Sequence, residues 1–212
     1  MGKIALEVVV ATNNKGKIAE FERILQPLGF KILTLDMLGF DDEIAETAET
    51  FEENAFIKAF EVAKRFNKPV LADDSGLCID ALNGEPGVHS ARFGGDISNA
   101  QRLEKLLGLM QDVPDEKRTA RFVCLLCFIA DSDEVSGFEQ AKKSGKALFI
   151  HAEQPGVVER FSKGTNGFGA DSIFSIAGKT VAEMSPDEKD AVSPRGAALR
   201  DFALKMREFG RL

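Results

Sequence analysis

Apolar and polar positions along the chain switch between a period near two and a period near 3.6, and the switches outline an α/β protein. Glu7 to Ala11 is a short β-branched, apolar segment. It is followed by the polar run Thr12-Asn13-Asn14-Lys15-Gly16-Lys17 and then by Ile18, Phe21, Ile24, Leu25 and Leu28 at helical spacing. The pattern predicts strand, polar turn and amphipathic helix. Lys31 to Leu35 reads as a second strand, and the acidic stretch Asp36 to Glu49 as a loop. Thr50 with Glu53 three residues on carries a capping-box signature, opening a helix to about Phe66, ahead of Pro69. Val70 to Ala72 is a short strand that gives way to Asp73-Asp74-Ser75-Gly76. Four glycines and a proline make Gly84 to Gly95 a loop, and Ser98 with Gln101 opens a capped helix to Met110.

In the second half, Ala120 to Ala130 reads as a long strand, and Ala147 to His151 and Gly156 to Phe161 as two further strands. Gly164 to Gly169 is a glycine-rich turn, and Ile173 to Ile176 one more strand. Ser185-Pro186-Asp187-Glu188 combines an N-cap, a proline at the first helical position and a glutamate at the third. Ser193-Pro194 repeats the cap-plus-proline device. It opens a final helix with Leu199, Phe202, Ala203, Met206 and Phe209 on its inner face. No repeat or linker interrupts the chain, so residues 1–212 read as a single α/β domain with a mixed central sheet and flanking helices.

Composition narrows the function classes. The 212 residues are 44% hydrophobic and 29% charged, enough for a substantial core. A net charge of −7 without any Lys/Arg-rich block argues against nucleic acid as a partner. The longest apolar run, Val123 to Ala130, is too short to span a membrane, so no membrane association is expected and the cytoplasm is the default location. Cys124 and Cys127 lie within one apolar strand, where residues three apart point to opposite faces; they read as core residues rather than a metal clamp or redox pair. With only His89 and His151 available, a zinc site is not expected.

Two segments carry candidate chemistry. Thr12 to Lys17 joins a strand end to a helix start, where unpaired N–H groups and the helix dipole favour an anion. The spacing is not that of a Walker loop, and a plain polar turn is an equal alternative. Asp73-Asp74-Ser75-Gly76 would place a carboxylate at a strand's carboxyl end, where α/β folds commonly hold their sites. Hard oxygen ligands beside a phosphate suit Mg²⁺, although an Asp-rich turn closing a strand stays open. Glu43, Glu46 and Glu49 add acid nearby in sequence, and such runs are usually solvated.

Five segments together resemble the inosine triphosphate pyrophosphatase family, also called XTP/dITP diphosphatases, and they occur in that family's order. They are Ala11 to Lys17, Thr50-Phe51-Glu52-Glu53-Asn54-Ala55, Ala72 to Leu77, Pro86-Gly87-Val88-His89-Ser90-Ala91-Arg92, and Gly167-Phe168-Gly169-Ala170-Asp171. The resemblance implies that Thr12, Asn13, Asn14, Lys15, Gly16 and Lys17 contact the nucleotide, and that Lys58 reaches its phosphates. It makes Asp74 the catalytic acid with Ser75 beside it at the substrate, and Glu46 and Asp74 the ligands of a Mg²⁺ cofactor. Phe168, Gly169, Ala170 and Asp171 match the base-binding segment, in which the phenylalanine stacks, and Lys189 matches a phosphate-binding lysine. Two lobes enclosing a substrate cleft, and a homodimer, are implied as well.

Two positions depart from the family's pattern. Ala170 stands for its usual aromatic in a chain with no Tyr or Trp, and Ser193-Pro194-Arg195 stands for Ser-His-Arg. Pro194 removes a side-chain donor, leaving Arg195 to read the purine edge. The expected reaction is hydrolysis of inosine, deoxyinosine or xanthosine triphosphate, a small-molecule partner, to the monophosphate and pyrophosphate. The rival readings are a Maf-like pyrophosphatase for other modified nucleotides and a nucleotide-binding protein without catalysis. Pro194 favours the latter; Asp74, Ser75 and the lysines oppose it.

Overall fold

The structure, a computed structural model, describes residues 6–209. Strand β1 (Leu6–Val10) leads into helix α1 (Lys15–Leu25), and strand β2 (Phe30–Thr34) into α2 (Phe51–Phe66). Then come β3 (Val70–Ile79), α3 (Asn99–Leu109), β4 (Thr119–Ile129), α4 (Phe138–Ser144) and β5 (Ala147–Val158). The chain closes with β6 (Phe174–Ile176), β7 (Lys179–Thr180), α5 (Pro186–Val192) and α6 (Pro194–Glu208). One sheet runs in the order β2-β1-β3-β4-β5-β6-β7. β1 pairs in parallel with β2 and β3, whereas β5–β6 and β6–β7 are antiparallel, so the sheet is mixed, as the sequence pattern indicates.

The chain divides into two compact units, to both of which β3, β4 and β5 contribute. The first takes the chain up to Asp74, Cys124–Ala152 and the chain from Arg195 onward. Its strands bury both faces, and strand alternation sorts their side chains between two cores. Val9, Ala11, Val70, Ala72, Leu125, Cys127 and Ile129 pack with Ala55, Ala59 and Val62 of α2. Val8, Val10, Leu71, Cys124, Leu126 and Phe128 pack instead with Phe21 and Leu25 of α1 and Leu199, Phe202 and Met206 of α6. Cys124 and Cys127 thus lie in opposite cores as free, buried thiols, and burial pushes Cys124 up to about 12.

The second unit comprises Ser75–Val123 and Glu153–Pro194. Leu77, Ile79, Leu106, Met110, Ile173 and Phe174 form its core. Arg118 is 3% exposed and ties two segments to its own: it donates to the carbonyls of Met110, Val158 and Glu159 at 2.5, 2.7 and 2.8 Å. Gly156 is required by close approach, because a Cβ there would stand 2.4 Å from the Ser175 carbonyl oxygen.

Three expectations need correction, and one element is not foreshadowed by the pattern. Asp73-Asp74-Ser75-Gly76 is not the end of a strand but the middle of β3, which continues to Ile79. The two strands expected at Ala147 to His151 and Gly156 to Phe161 are one, β5, which ends at Val158. Helix α4, missed by the pattern, is a seven-residue piece stopped by Gly145 at φ 69°. Phe209, expected inside, is 63% exposed and lies beyond the last turn of α6.

Candidate functional site

The site in the first unit begins at the start of α1. Asn14 is its N-cap, and its Oδ1 accepts from the N–H groups of Gly16 and Lys17 at 2.9 and 3.1 Å. Thr12 Oγ1 accepts from Asn14 N–H at 3.2 Å. Two of the N–H groups that an anion would use are therefore already satisfied within the chain. The side chains retain donors: Lys15 is exposed, while Lys17 turns toward β3, where its ammonium lies 3.0 Å from Asp73.

On β3 the two adjacent carboxylates point to opposite faces, as neighbours on a strand must. Asp73 faces the side of α1 and α6. Besides Lys17, its Oδ2 accepts from Arg195 Nη2 at 2.9 Å and Nε at 3.2 Å, and Arg195 Nη1 donates to Glu20. Burial alone would raise the Asp73 pKa, but Lys17, Arg195 and Lys58 overcome it and hold the carboxyl well below the usual range. Arg195 shows the mirror image: burial opposes its charge, yet Asp73 and Glu20 raise its pKa above the ordinary value.

Asp74 faces α2. Lys58 Nζ lies 3.2 Å from Asp74 Oδ1 and 2.6 Å from Glu46 Oε1, so one ammonium bridges both expected metal ligands. Burial raises the Lys58 desolvation cost, and Asp74, Asp73 and Glu46 more than offset it, raising its pKa. For Asp74 the balance goes the other way: burial is the largest cause, and its pKa is raised despite Lys58. Asp74 Oδ2 is buried with no hydrogen-bond partner among the described residues.

The loop bearing Glu46 has no regular structure, and its position is fixed from α2. Asn54, fully buried, accepts from Ala48 N–H at 3.0 Å and donates to Ala48 O at 3.2 Å. Thr50 caps the helix by accepting from Glu53 N–H at 3.2 Å. Asn54 precedes Lys58 by one helical turn, so the loop and the lysine share one anchor. Asn54 lies within a motif shared with the family but has no role implied by it; an Asn near the start of a helix is the signal that points outward, to a loop.

In the second unit, Gly167 and Gly169 take positive φ (77° and 59°) around Phe168. Asp171 Oδ2 accepts from Phe168 N–H at 2.8 Å and from Lys189 Nζ at 2.6 Å. That ammonium also lies 4.2 Å from the Phe168 ring centroid, a cation–π contact. A Cβ at Gly167 would stand 2.0 Å from Asp171 Oδ2, so glycine is the residue this turn admits. The arrangement fixes an aromatic ring beside a buried cation, which suits a planar ring with attached anionic groups. Ala170 packs against the core, Asn99 donates to Gly169 O at 3.0 Å, and Ser75 is half-buried within β3. Pro194 is the first residue of α6.

The expected residues thus gather into two groups. Lys17, Glu46, Lys58, Asp74 and Arg195 belong to the first unit, and Phe168, Asp171 and Lys189 to the second. Among the described residues no three His, Cys, Asp or Glu side chains converge as a metal cage. Two carboxylates, a bare buried Asp74 oxygen and a net negative charge over Asp74, Glu46 and Lys58 suit a hard divalent cation completed by water and substrate oxygens.

The sequence profile of the Ham1 family matches residues 8–205. The dITP/XTP pyrophosphatase of Bacillus subtilis is 43% identical over 203 residues, covering 94% of this chain and 96% of that protein. The protein of the same name from Halalkalibacterium halodurans is 44% identical over 199 residues, covering 92% and 96%. A HAM1 protein from Coxiella burnetii has the same fold, with TM-score 0.82 and 37% identity over 96% of this chain and 99% of that one. The Ham1 protein of Staphylococcus aureus gives 0.79 and 34%, over 95% and 98%.

Proposed function

Given that this chain belongs to the Ham1 family, we propose that it hydrolyses the triphosphates of deaminated purine nucleosides, such as inosine and xanthosine, to the monophosphate and pyrophosphate. The names of its relatives support the substrate class. The observation that carries the chemistry is the buried Asp74, with one bare oxygen, joined to Glu46 through Lys58.

Glu46 and Asp74 would hold magnesium, and the ion, once bound, neutralises charge on the phosphate oxygens and on the leaving group. The protein's own groups do the rest. Lys58, Lys17 and the exposed Lys15 bind phosphate oxygens and fix the in-line geometry. Asp74 orients a water and accepts its proton as the water oxygen bonds to the α-phosphorus. The bond from that phosphorus to the bridging oxygen breaks, and pyrophosphate leaves with the electron pair. Burial, which raises the Asp74 pKa, makes it a better base than an exposed aspartate.

The test is phosphorus NMR of inosine triphosphate incubated with the protein, with magnesium and with a chelator. Inosine monophosphate and pyrophosphate should appear only with the metal, and faster than the adenosine analogue is cleaved. Inosine diphosphate with orthophosphate, or full activity in chelator, would overturn the reading; a preference for pyrimidine triphosphates would favour the Maf-like alternative. A homodimer, implied by the family resemblance, and a cytoplasmic location, the default for a chain whose longest apolar run is too short to span a membrane, belong to the same proposal.

A further inference from the structure

We propose that Asp73, the carboxylate beside Asp74, is a positioning residue that acts through Lys17 and touches neither metal nor attacking water. The inference rests on the pyrophosphatase reading above. The Asp73 side chain is fully buried, and its Oδ2 lies 3.0 Å from Lys17 Nζ and 2.9 and 3.2 Å from two nitrogens of Arg195. Lys17 is in the first turn of α1 and Arg195 in the first turn of α6, so one carboxylate ties the starts of two helices to β3. With two cations already on Asp73 Oδ2, a divalent metal at that carboxylate would meet their repulsion. Asp74, on the other face, has a single lysine, which it shares with Glu46. The tandem pair is therefore divided: Asp74 for chemistry, Asp73 for alignment.

The alignment acts on Lys17. An ammonium has three donors, and its bond to Asp73 leaves others for phosphate oxygens. The Lys17 side chain is still 16% exposed. A free lysine would surrender its rotamer freedom each time it met a phosphate; held by Asp73, Lys17 has surrendered it on folding.

A double-mutant cycle on the full-length protein tests this, with kcat/KM for inosine triphosphate in magnesium as the readout. Asp73→Asn should lower kcat/KM by about 10- to 100-fold, as misplacement of a positioned group does. In a Lys17→Met background the same change should cost less than about 3-fold, because the group that Asp73 positions is gone. Should Asp73→Asn not fold, Asp73→Glu keeps the charge, moves it by one methylene and enters the same cycle. An equal loss with and without Lys17, or no loss with Lys17 present, overturns the role of Asp73 alone. An inactive wild-type protein overturns the pyrophosphatase reading and this inference with it.

Discussion

Lys58→Met should destabilise the protein most when magnesium is absent. The ammonium of Lys58 is the charge that Asp74 and Glu46 share, with side chains 9%, 6% and 26% exposed respectively. Removing one partner of a buried pair leaves the other desolvated and costs about 3–5 kcal/mol. Because Glu46 retains contact with solvent and the methionine stem refills most of the lysine's volume, the low end, about 3 kcal/mol, is expected. In a chain of this size each kcal/mol moves Tm by about 2–4 °C, so the variant should melt about 6–12 °C below wild type in chelator. Magnesium replaces the missing positive charge, so Tm should rise more on its addition in Lys58→Met than in wild type. Lowering the pH should narrow the gap as well: the Asp74 pKa is already raised by burial, loss of Lys58 raises it further, and a neutral acid needs no partner. Melts followed by circular dichroism, with and without magnesium, measure all of this. A variant within about 2 °C of wild type in chelator would refute the idea that Lys58 compensates buried carboxylate charge.

Two further outcomes follow from the geometry. The proposed mechanism needs Asp74 ionised, and its pKa is raised, so kcat/KM should fall as pH drops through a limb above the ordinary aspartate value of about 3.9. More magnesium competes with the proton and should move that limb to lower pH; a limb indifferent to magnesium would count against Asp74 as a ligand. Ala177 sits at φ 51° before Gly178 at 82° in the β6–β7 hairpin, a turn whose first residue favours Asn or Gly. Alanine there costs roughly 1–2 kcal/mol, so Ala177→Asn should raise stability by about 1 kcal/mol and Tm by about 2–4 °C, and an unchanged melt would show that the turn is not strained.

Much of the fold was legible because its helices announce their own starts. Thr50, Ser98 and Ser185 are N-caps in the structure as the spacing indicates, and α2 ends at Phe66 as expected. α4 leaves no such mark, because seven residues give barely two turns of periodicity and no side-chain cap opens them. The alternation is less clean around β5 and splits it into two segments, whereas an exposed proline and a glycine pressed against Ser175 let the strand continue. In the site, the sequence offers residue types but not their partners. Arg195 and Pro194 show the limit: the pattern places both at a helix start, where they are, but the buried bonds of Arg195 to Asp73 and Glu20 join positions 122 and 175 residues apart. No local period encodes such a contact.

Whether Asp73 and Asp74 lie beyond a strand's end or within it decides more than a boundary. In a turn, adjacent carboxylates can converge on one ion, and the pair would be a single site. Within a strand they cannot, because each successive side chain leaves by the opposite face. β3 alternates Val70, Leu71 and Ala72 between the two cores of the first unit, and Asp73 and Asp74 continue the same alternation in charged form. Each carboxylate therefore meets whatever cations its own layer supplies. Asp73 meets Lys17 and Arg195 of α1 and α6, Asp74 meets Lys58 of α2, and their pKa shifts take opposite signs although they are neighbours in the chain. The strand's period of two thus puts a repeated residue into two different surroundings, one in which Lys17 and Arg195 hold the carboxyl well below its usual range and one in which burial raises it.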